Sequence, residues 1–219
     1  MVTLEDLQTY CKGKKIIIVG NSSSLLNSNN GKLIDNYEIV IRINRGYHAR
    51  QQLYDRLIGS KTTILSIGVK TIAQAAMIIE GNFIKYIISP IIHSDKLSYH
   101  NVYDVSQDTY NSLKESLGNI KPSTGISTYN FFNRFIDFAR LDLIGFDFFE
   151  SSSRQRNQLG HIKVPDHDGS KELLFFEKSH DPEKTLIHKL KGGNNMINNN
   201  VPMHNQHNQF FFKNNNRKR

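Results

Sequence analysis

The sequence predicts an α/β domain built on a mainly parallel sheet with flanking helices, and three observations carry that prediction. Short, continuous apolar runs such as KKIIIVG, residues 14–20, are bounded by charge and glycine, the pattern of strands buried on both faces. Segments with helical spacing, polar caps and glycine stops lie between them. Strands that alternate with helices in this way pair in parallel. With 219 residues, 38% of them hydrophobic, the chain can bury one sizeable core, and a single domain over residues 1–191 is expected.

The elements follow in order. Residues 14–20 form the first strand. Asp35 and Asn36 make the turn before a second strand, YEIVIRIN at 37–44, and TTILSIG at 62–68 is the third. TIAQAAMIIEG at 71–81 has helix formers, an N-terminal Thr and a glycine stop. KYIISPII at 85–92 is a fourth strand, which Pro90 ends. DTYNSLKESLG at 108–118 is a helix with Asp108 as its cap. Residues 123–141 begin with hydroxyls after Pro122, then run apolar at Ile126, Tyr129, Phe132, Phe135, Ile136 and Ala139, which is helical spacing. LDLIGFD at 141–147 is the fifth strand. DPEKTLIHKLKGG at 181–193, with Asp181, Pro182 and a glycine end, predicts a terminal helix. Residues 192–219 are Asn-rich and low in complexity, and are expected to be a disordered basic tail.

Charge narrows the classes of function. The net charge is +8, but Lys213, Arg217, Lys218 and Arg219 of the tail supply four of those charges with no acid, leaving +4 on the preceding chain. That mild excess suits a small anionic ligand at least as well as a nucleic-acid backbone. No window of about 18 apolar residues appears, so no membrane span is expected. The N-terminus is acidic and amphipathic and lacks the order of a secretory signal. Cys11 is the only cysteine, which excludes an intrachain disulfide and fits a reducing, cytoplasmic compartment.

Ligands of open α/β sheets bind beyond the carboxyl ends of the strands. Four polar clusters fall near such ends. They are Gly20-Asn21-Ser22-Ser23, Arg42 with Asn44, Ser123-Thr124-Gly125, and the stretch after Gly145 that holds His161, His167 and His180. Gly20 allows close backbone approach, while Asn21 and the serines offer hydrogen bonds. Ser123 and Thr124 stand at a helix N-terminus, where amides and dipole favour an anion. Each cluster alone is more often a turn or a cap than a site, and together they leave the ligand unnamed.

VGNSSSLLNSNNGKLIDNYEIVIRINRG at 19–46 resembles the large sialylmotif of the sialyltransferases, glycosyltransferase family 29. KPSTGISTYNFFNRFIDFARLDLIGFD at 121–147 resembles the small sialylmotif. SHDPEKTLIHKL at 179–190 resembles the very small motif, in which a His precedes a Glu at the start of the last helix. The resemblance implies a Rossmann-like, GT-A-like domain. It would move a sialic acid, or a related acidic sugar, from a CMP-activated donor to a glycan hydroxyl, with inversion and without a metal or other cofactor. Gly20, Asn21, Ser22 and Asn44 would then bind the donor. Ser123, Thr124 and Gly125 would hold its phosphate or the sugar's carboxylate, and His180 would be the general base. His161 is the first choice for the family's third motif and His167 the second.

Departures accompany the match. Neither motif has the cysteine that ties the animal enzymes together, and no anchor or stem precedes them, so a soluble microbial or viral relative is expected. His180 and Glu183 stand closer than the corresponding pair of the animal proteins. Three other readings remain. Asp166 and Asp168 form the Asp-x-Asp pattern of metal-dependent nucleoside-diphosphate-sugar transferases, although a solvated loop is the commoner role of such a tripeptide. The chain could also be a degenerate relative without activity. A basic RNA-binding module is disfavoured, because Phe131, Phe132, Phe135 and Phe138 have core-like spacing.

Overall fold

A computed structural model describes residues 2–27, 29–44, 55–68, 84–90, 102–149 and 167–190. Its centre is a seven-stranded, all-parallel sheet in the order β5-β4-β3-β2-β1-β6-β7. The strands are β1 (Lys15–Val19), β2 (Ile39–Ile43), β3 (Ile64–Ser66), β4 (Tyr86–Ser89), β5 (Val102–Asp104), β6 (Arg140–Ile144) and β7 (Ile187–His188). The helices are α1 (Leu4–Cys11), α2 (Gly31–Asp35), α3 (Asp55–Ile58), α4 (Gln107–Ser116), α5 (Thr124–Phe135) and α6 (Gly169–Ser179), and Ser23–Asn27 is a 3₁₀ turn. None of them is long and apolar enough to cross a membrane.

Alternation along the buried strands divides the core. Ile16 and Ile18 of β1, Ile39, Ile41 and Ile43 of β2, and Leu141 and Leu143 of β6 face α1, α4, α5 and α6, where Tyr129, Phe131 and Phe132 supply the bulk. Ile17, Val19, Val40 and Ile144 face Leu25, Ile34 of α2 and Ile58 of α3. Cys11 is buried in the first layer, and burial pushes its thiol up to about 12, so it packs as an unreactive apolar group.

Several sequence-based boundaries are corrected. The helix expected at 123–141 stops at Phe135, because Ile136 turns extended (φ −114°, ψ 128°), and α4 is capped by Ser106 rather than Asp108. No helix covers 181–190. Residues 182–184 turn, and β7 then pairs with β6 through Leu143 beside Ile187. The last helix among the described residues is α6, in a stretch expected to be loop. Asp168 caps it by accepting from the Lys171 amide at 3.1 Å. The helix expected at 71–81 and the tail at 192–219 lie outside the described residues.

Arg42, expected at a site, is structural. It is 1% exposed and lies on the β2 face that meets α3. Its guanidinium donates to the carbonyls of Ile58 (2.9 Å), Gly59 (3.0 Å) and Lys61 (3.0 Å). These include orphan carbonyls at the end of α3, which a buried cation satisfies.

Candidate functional site

The chain winds outward from β1 to β5 and returns to place β6 on the other side of β1. The point where the order reverses therefore lies between β1 and β6, and a crevice opens beyond their carboxyl ends. A cleft occupies that position. Its lining includes Gly20, Asn21 and Ser22 after β1, Asn44 after β2, and Ser123, Thr124 and Gly125 at the start of α5. Phe146, Asp147, Phe148 and Phe149 after β6 and His167 and Glu172 around the start of α6 complete it.

The first wall is built by cross-bonds. Asn44, in a left-handed conformation (φ 50°), accepts from the Gly68 amide (2.8 Å) and donates to Thr124 Oγ1 (3.3 Å), tying the ends of β2 and β3 to α5. Asn21 donates through Nδ2 to the Ile43 carbonyl (3.1 Å). Its Oδ1 is buried and has no protein partner among the described residues. An unmet buried acceptor costs about 1–3 kcal/mol. The first-turn amides of α5 are donors that a helix leaves without internal partners.

Glycine serves tight packing here. A Cβ on Gly20 would fall 2.3 Å from the Gly145 oxygen, so the bare backbone here admits the chain leaving β6. A Cβ on Gly125 would lie 2.8 Å from the Phe146 ring. Ser22 turns inward, its hydroxyl donating to Asp147 Oδ2 at 2.8 Å.

Apart from His167, the second choice for the third motif, the second wall comes from residues that the sequence did not single out for this place. Glu172 is 3% exposed and accepts from both the amide and the hydroxyl of Ser123, each at 2.7 Å. The Ser123 hydroxyl accepts in turn from the Ile126 amide (3.2 Å), so the cap of α5 hangs from α6. Burial pushes the Glu172 carboxyl up to about 7, Asp168 adds to this, and the two Ser123 bonds oppose it. A carboxyl raised from 4.5 to about 7 lends stability that is complete below the lower value and lost as pH rises through the upper one. Melting across pH 5–8 should therefore show the wild type losing up to about 3 kcal/mol relative to Glu172→Gln, whose curve stays flat. A parallel pair of curves would remove Glu172 as the titrating group.

His167 Nδ1 lies 2.8 Å from the Lys121 carbonyl, which only accepts, so Nδ1 carries the hydrogen and the neutral ring keeps its lone pair on Nε2. The ring stacks on Phe149 with centroids 5.6 Å apart and planes 20° apart. Phe148 and Phe149 are both left-handed (φ 48° and 71°), which costs about 1–2 kcal/mol per residue in a non-glycine chain. Gly169 makes this possible, because a Cβ there would sit 1.7 Å from the Phe148 oxygen.

Of the expected site residues, Gly20, Asn21, Ser22, Asn44, Ser123, Thr124, Gly125 and the second-choice histidine, His167, converge on the cleft. His180 does not line it. It ends α6, stacks on Phe176 (4.7 Å, planes 8° apart) and donates from Nδ1 to the Phe176 carbonyl at 3.1 Å. The eleven residues of α6 separate it from the helix start, about 16 Å away. His161 and Asp166 lie outside the described residues, while Asp168 is engaged as a cap. No group of three potential metal-binding side chains occurs among the described residues. A His ahead of a Glu at the start of the last helix does exist. It is His167 with Glu172, a signal present in HDGSKE but hidden while the last helix was placed too late.

Comparison with known proteins follows the same lines. A sequence profile described as Glycosyltransferase family 29 (sialyltransferase) matches residues 8–133. A beta-1,6-galactosyltransferase of Arabidopsis thaliana is 46% identical over 57 residues, 26% of this chain and 14% of that relative's length. A mammalian sialyltransferase solved in complex with Gal-beta-1-3GalNAc-ortho-nitrophenol superposes with a TM-score of 0.60 at 20% identity, covering 86% of this chain and 74% of that one. A second mammalian sialyltransferase structure gives 0.61 at 19% identity with the same coverage. At these identities the likeness is one of fold.

Proposed function

The chain belongs to glycosyltransferase family 29, and on that footing we propose that it transfers a sugar from a nucleotide-activated donor to a glycan hydroxyl. One observation carries the donor assignment: Asn21, whose buried Oδ1 has no protein partner among the described residues, lines the same cleft as the N-terminus of α5. A nucleotide supplies what both lack. Its hydroxyl or amino hydrogens satisfy the acceptor, and its phosphate meets the Thr124 and Gly125 amides and the helix dipole. In this reading the donor is a CMP-activated sialic acid or a related acidic sugar, displaced with inversion and without a metal. The stabilised group is the leaving phosphate.

The proton of the acceptor hydroxyl goes to the His167 imidazole, which lines the cleft and is oriented by its Nδ1 bond to the Lys121 carbonyl. Glu172 acts through Ser123, holding the phosphate-binding turn in place. The acceptor in this reading bears galactose, as does the compound bound by the mammalian relative. A second donor reading has its own support. Asp147 and Glu172 put two carboxyls in the cleft, which suits a neutral sugar better than an acidic one, and the Arabidopsis relative is named a galactosyltransferase.

Calorimetric titration with CMP, UDP and GDP, with and without EDTA, tests the proposal. CMP binding that EDTA leaves unchanged supports the acidic-sugar donor, and UDP preference moves the reading to a neutral hexose. A requirement for metal brings back Asp166 and Asp168, and no binding at all leaves a degenerate relative. Asn21→Ala should weaken whichever nucleotide binds by about tenfold, the worth of one buried hydrogen bond, with its melting curve reported alongside. Undiminished affinity would take Asn21 out of the site.

A further inference from the structure

One pair of hydroxyls lies behind the cleft rather than in its lining. Ser66 ends β3 on the face that α5 covers, two residues after Ile64 of the same layer, and Thr128 stands one turn into α5. Both are fully buried, and their oxygens are 2.6 Å apart. The direction of these bonds follows from where they end. The Thr128 hydroxyl also lies 2.6 Å from the Thr124 carbonyl, which only accepts. The one hydrogen of Thr128 therefore goes to that carbonyl, and Ser66 donates to Thr128. The surrounding layer is isoleucine, leucine and aromatic rings, where alanine and valine would serve, since replacing both partners of a buried bond by apolar groups is nearly neutral. Packing alone does not call for this pair.

We propose that Ser66 and Thr128 are positioning residues for the donor's phosphate, acting through the Thr124 carbonyl to fix the Gly125 amide and strengthen it as a donor. The proposal rests on the reading in which the start of α5 receives a phosphate, and it adds what sets the geometry of that site. Its logic is that of one peptide group. The Thr124 carbonyl and the Gly125 amide share a plane, so a hydroxyl donated to the carbonyl holds the tilt of the amide and polarises its N–H. The Ile126 amide meets the Ser123 hydroxyl and the Ser127 amide meets the Ser123 carbonyl, which leaves Thr124 and Gly125 as the open donors of this helix end. Thr124 is tied to the end of β3 by a second route, since its hydroxyl accepts from Asn44 Nδ2 and Asn44 Oδ1 accepts from the Gly68 amide. Both polar ends of Thr124 thus refer to β3, a strand paired on both sides, rather than to the loop before the helix.

Calorimetry on the full chain tests this by pairing each nucleotide with its nucleoside, CMP with cytidine and UDP with uridine. Thr128→Val keeps the shape of the side chain and removes the hydroxyl. It should weaken the nucleotide that the wild type binds by about tenfold and leave the matching nucleoside within about twofold. Thr128→Ser restores the hydroxyl and should return nucleotide affinity to near wild type. The double variant Ser66→Ala/Thr128→Val strands no hydroxyl, so it should melt near wild type and still show the nucleotide loss. Equal losses for nucleotide and nucleoside in the double variant would mean a purely structural pair and overturn the assignment. Undiminished nucleotide affinity in that variant would overturn it too, and either result leaves the phosphate reading standing. A wild type that binds each nucleotide no more tightly than its nucleoside would sink the phosphate reading, and this proposal with it.

Discussion

His167→Ala should lower turnover by about 10²- to 10⁴-fold, the usual contribution of a positioned general base, and leave nucleotide affinity unchanged. The expectation follows from three facts about one ring. It lines the cleft, it stacks on Phe149, and its Nδ1 hydrogen is committed to the Lys121 carbonyl. That bond does for this imidazole what a carboxylate does in other bases: it fixes the tautomer and aims Nε2. His167→Asn keeps a donor for the Lys121 carbonyl but offers no base, so it should resemble the alanine variant in rate and the wild type in melting. His180→Ala supplies the contrast. It removes a ring stacked on Phe176 at the far end of α6, and turnover should stay within about twofold of wild type while the melting temperature falls slightly. If His180→Ala is the variant that loses turnover, the cleft described here is not the place where the acceptor is deprotonated.

Why the sequence pointed to a histidine that does not line the cleft is a question of length and of distance along the chain. β1, β2, β3, β4 and β6 were legible because strands buried on both faces must be apolar without interruption. β5 and β7 are the edge strands, only Val102 of them is buried, and neither carries a continuous apolar run. Asp181-Pro182-Glu183 has the composition of a helix start, yet Lys184 and Leu186 give their carbonyls to Leu141 and Leu143 of β6, and pairing overrides propensity. With a helix wrongly placed there, α6 looked like loop, and its first-turn Glu172 had no evident neighbour. The first wall was legible because each cluster sits at a strand or helix end and such ends converge in this fold. The second wall was not. Glu172 meets Ser123, and Phe149 meets His167, only through a left-handed turn that no local composition announces.

Asp142→Ala should destabilise the domain by about 3–5 kcal/mol, since it removes the acid from a buried network and strands its partners. Asp142 lies in β6 with no exposed surface, opposite Ile17 of β1. Its carboxylate accepts from Arg140 Nε at 2.9 Å, His188 Nε2 at 3.1 Å, the Leu186 amide at 3.2 Å and the Tyr37 hydroxyl. Burial pushes its carboxyl up, but the bonds from His188, Tyr37 and Arg140 outweigh burial and hold it below the ordinary range. Tyr37 responds in the opposite direction, raised first by burial and then by Asp142. The same group thus ties the turn before β2, the edge strand β7 and β6 into one joint, which explains how a strand of two residues stays in register. A depressed carboxyl lends stability that is present above pH 4 and lost as pH falls through its lower native value. Wild type should therefore lose the joint only in strong acid, whereas Asp142→Ala should already melt roughly 10 °C lower at pH 7. Asp142→Asn separates charge from shape. It preserves the size of the side chain but offers one acceptor in place of two, and should fall between wild type and alanine. Equal melting of the wild type and both variants at pH 7 would show that β7 is held by its backbone pairing alone.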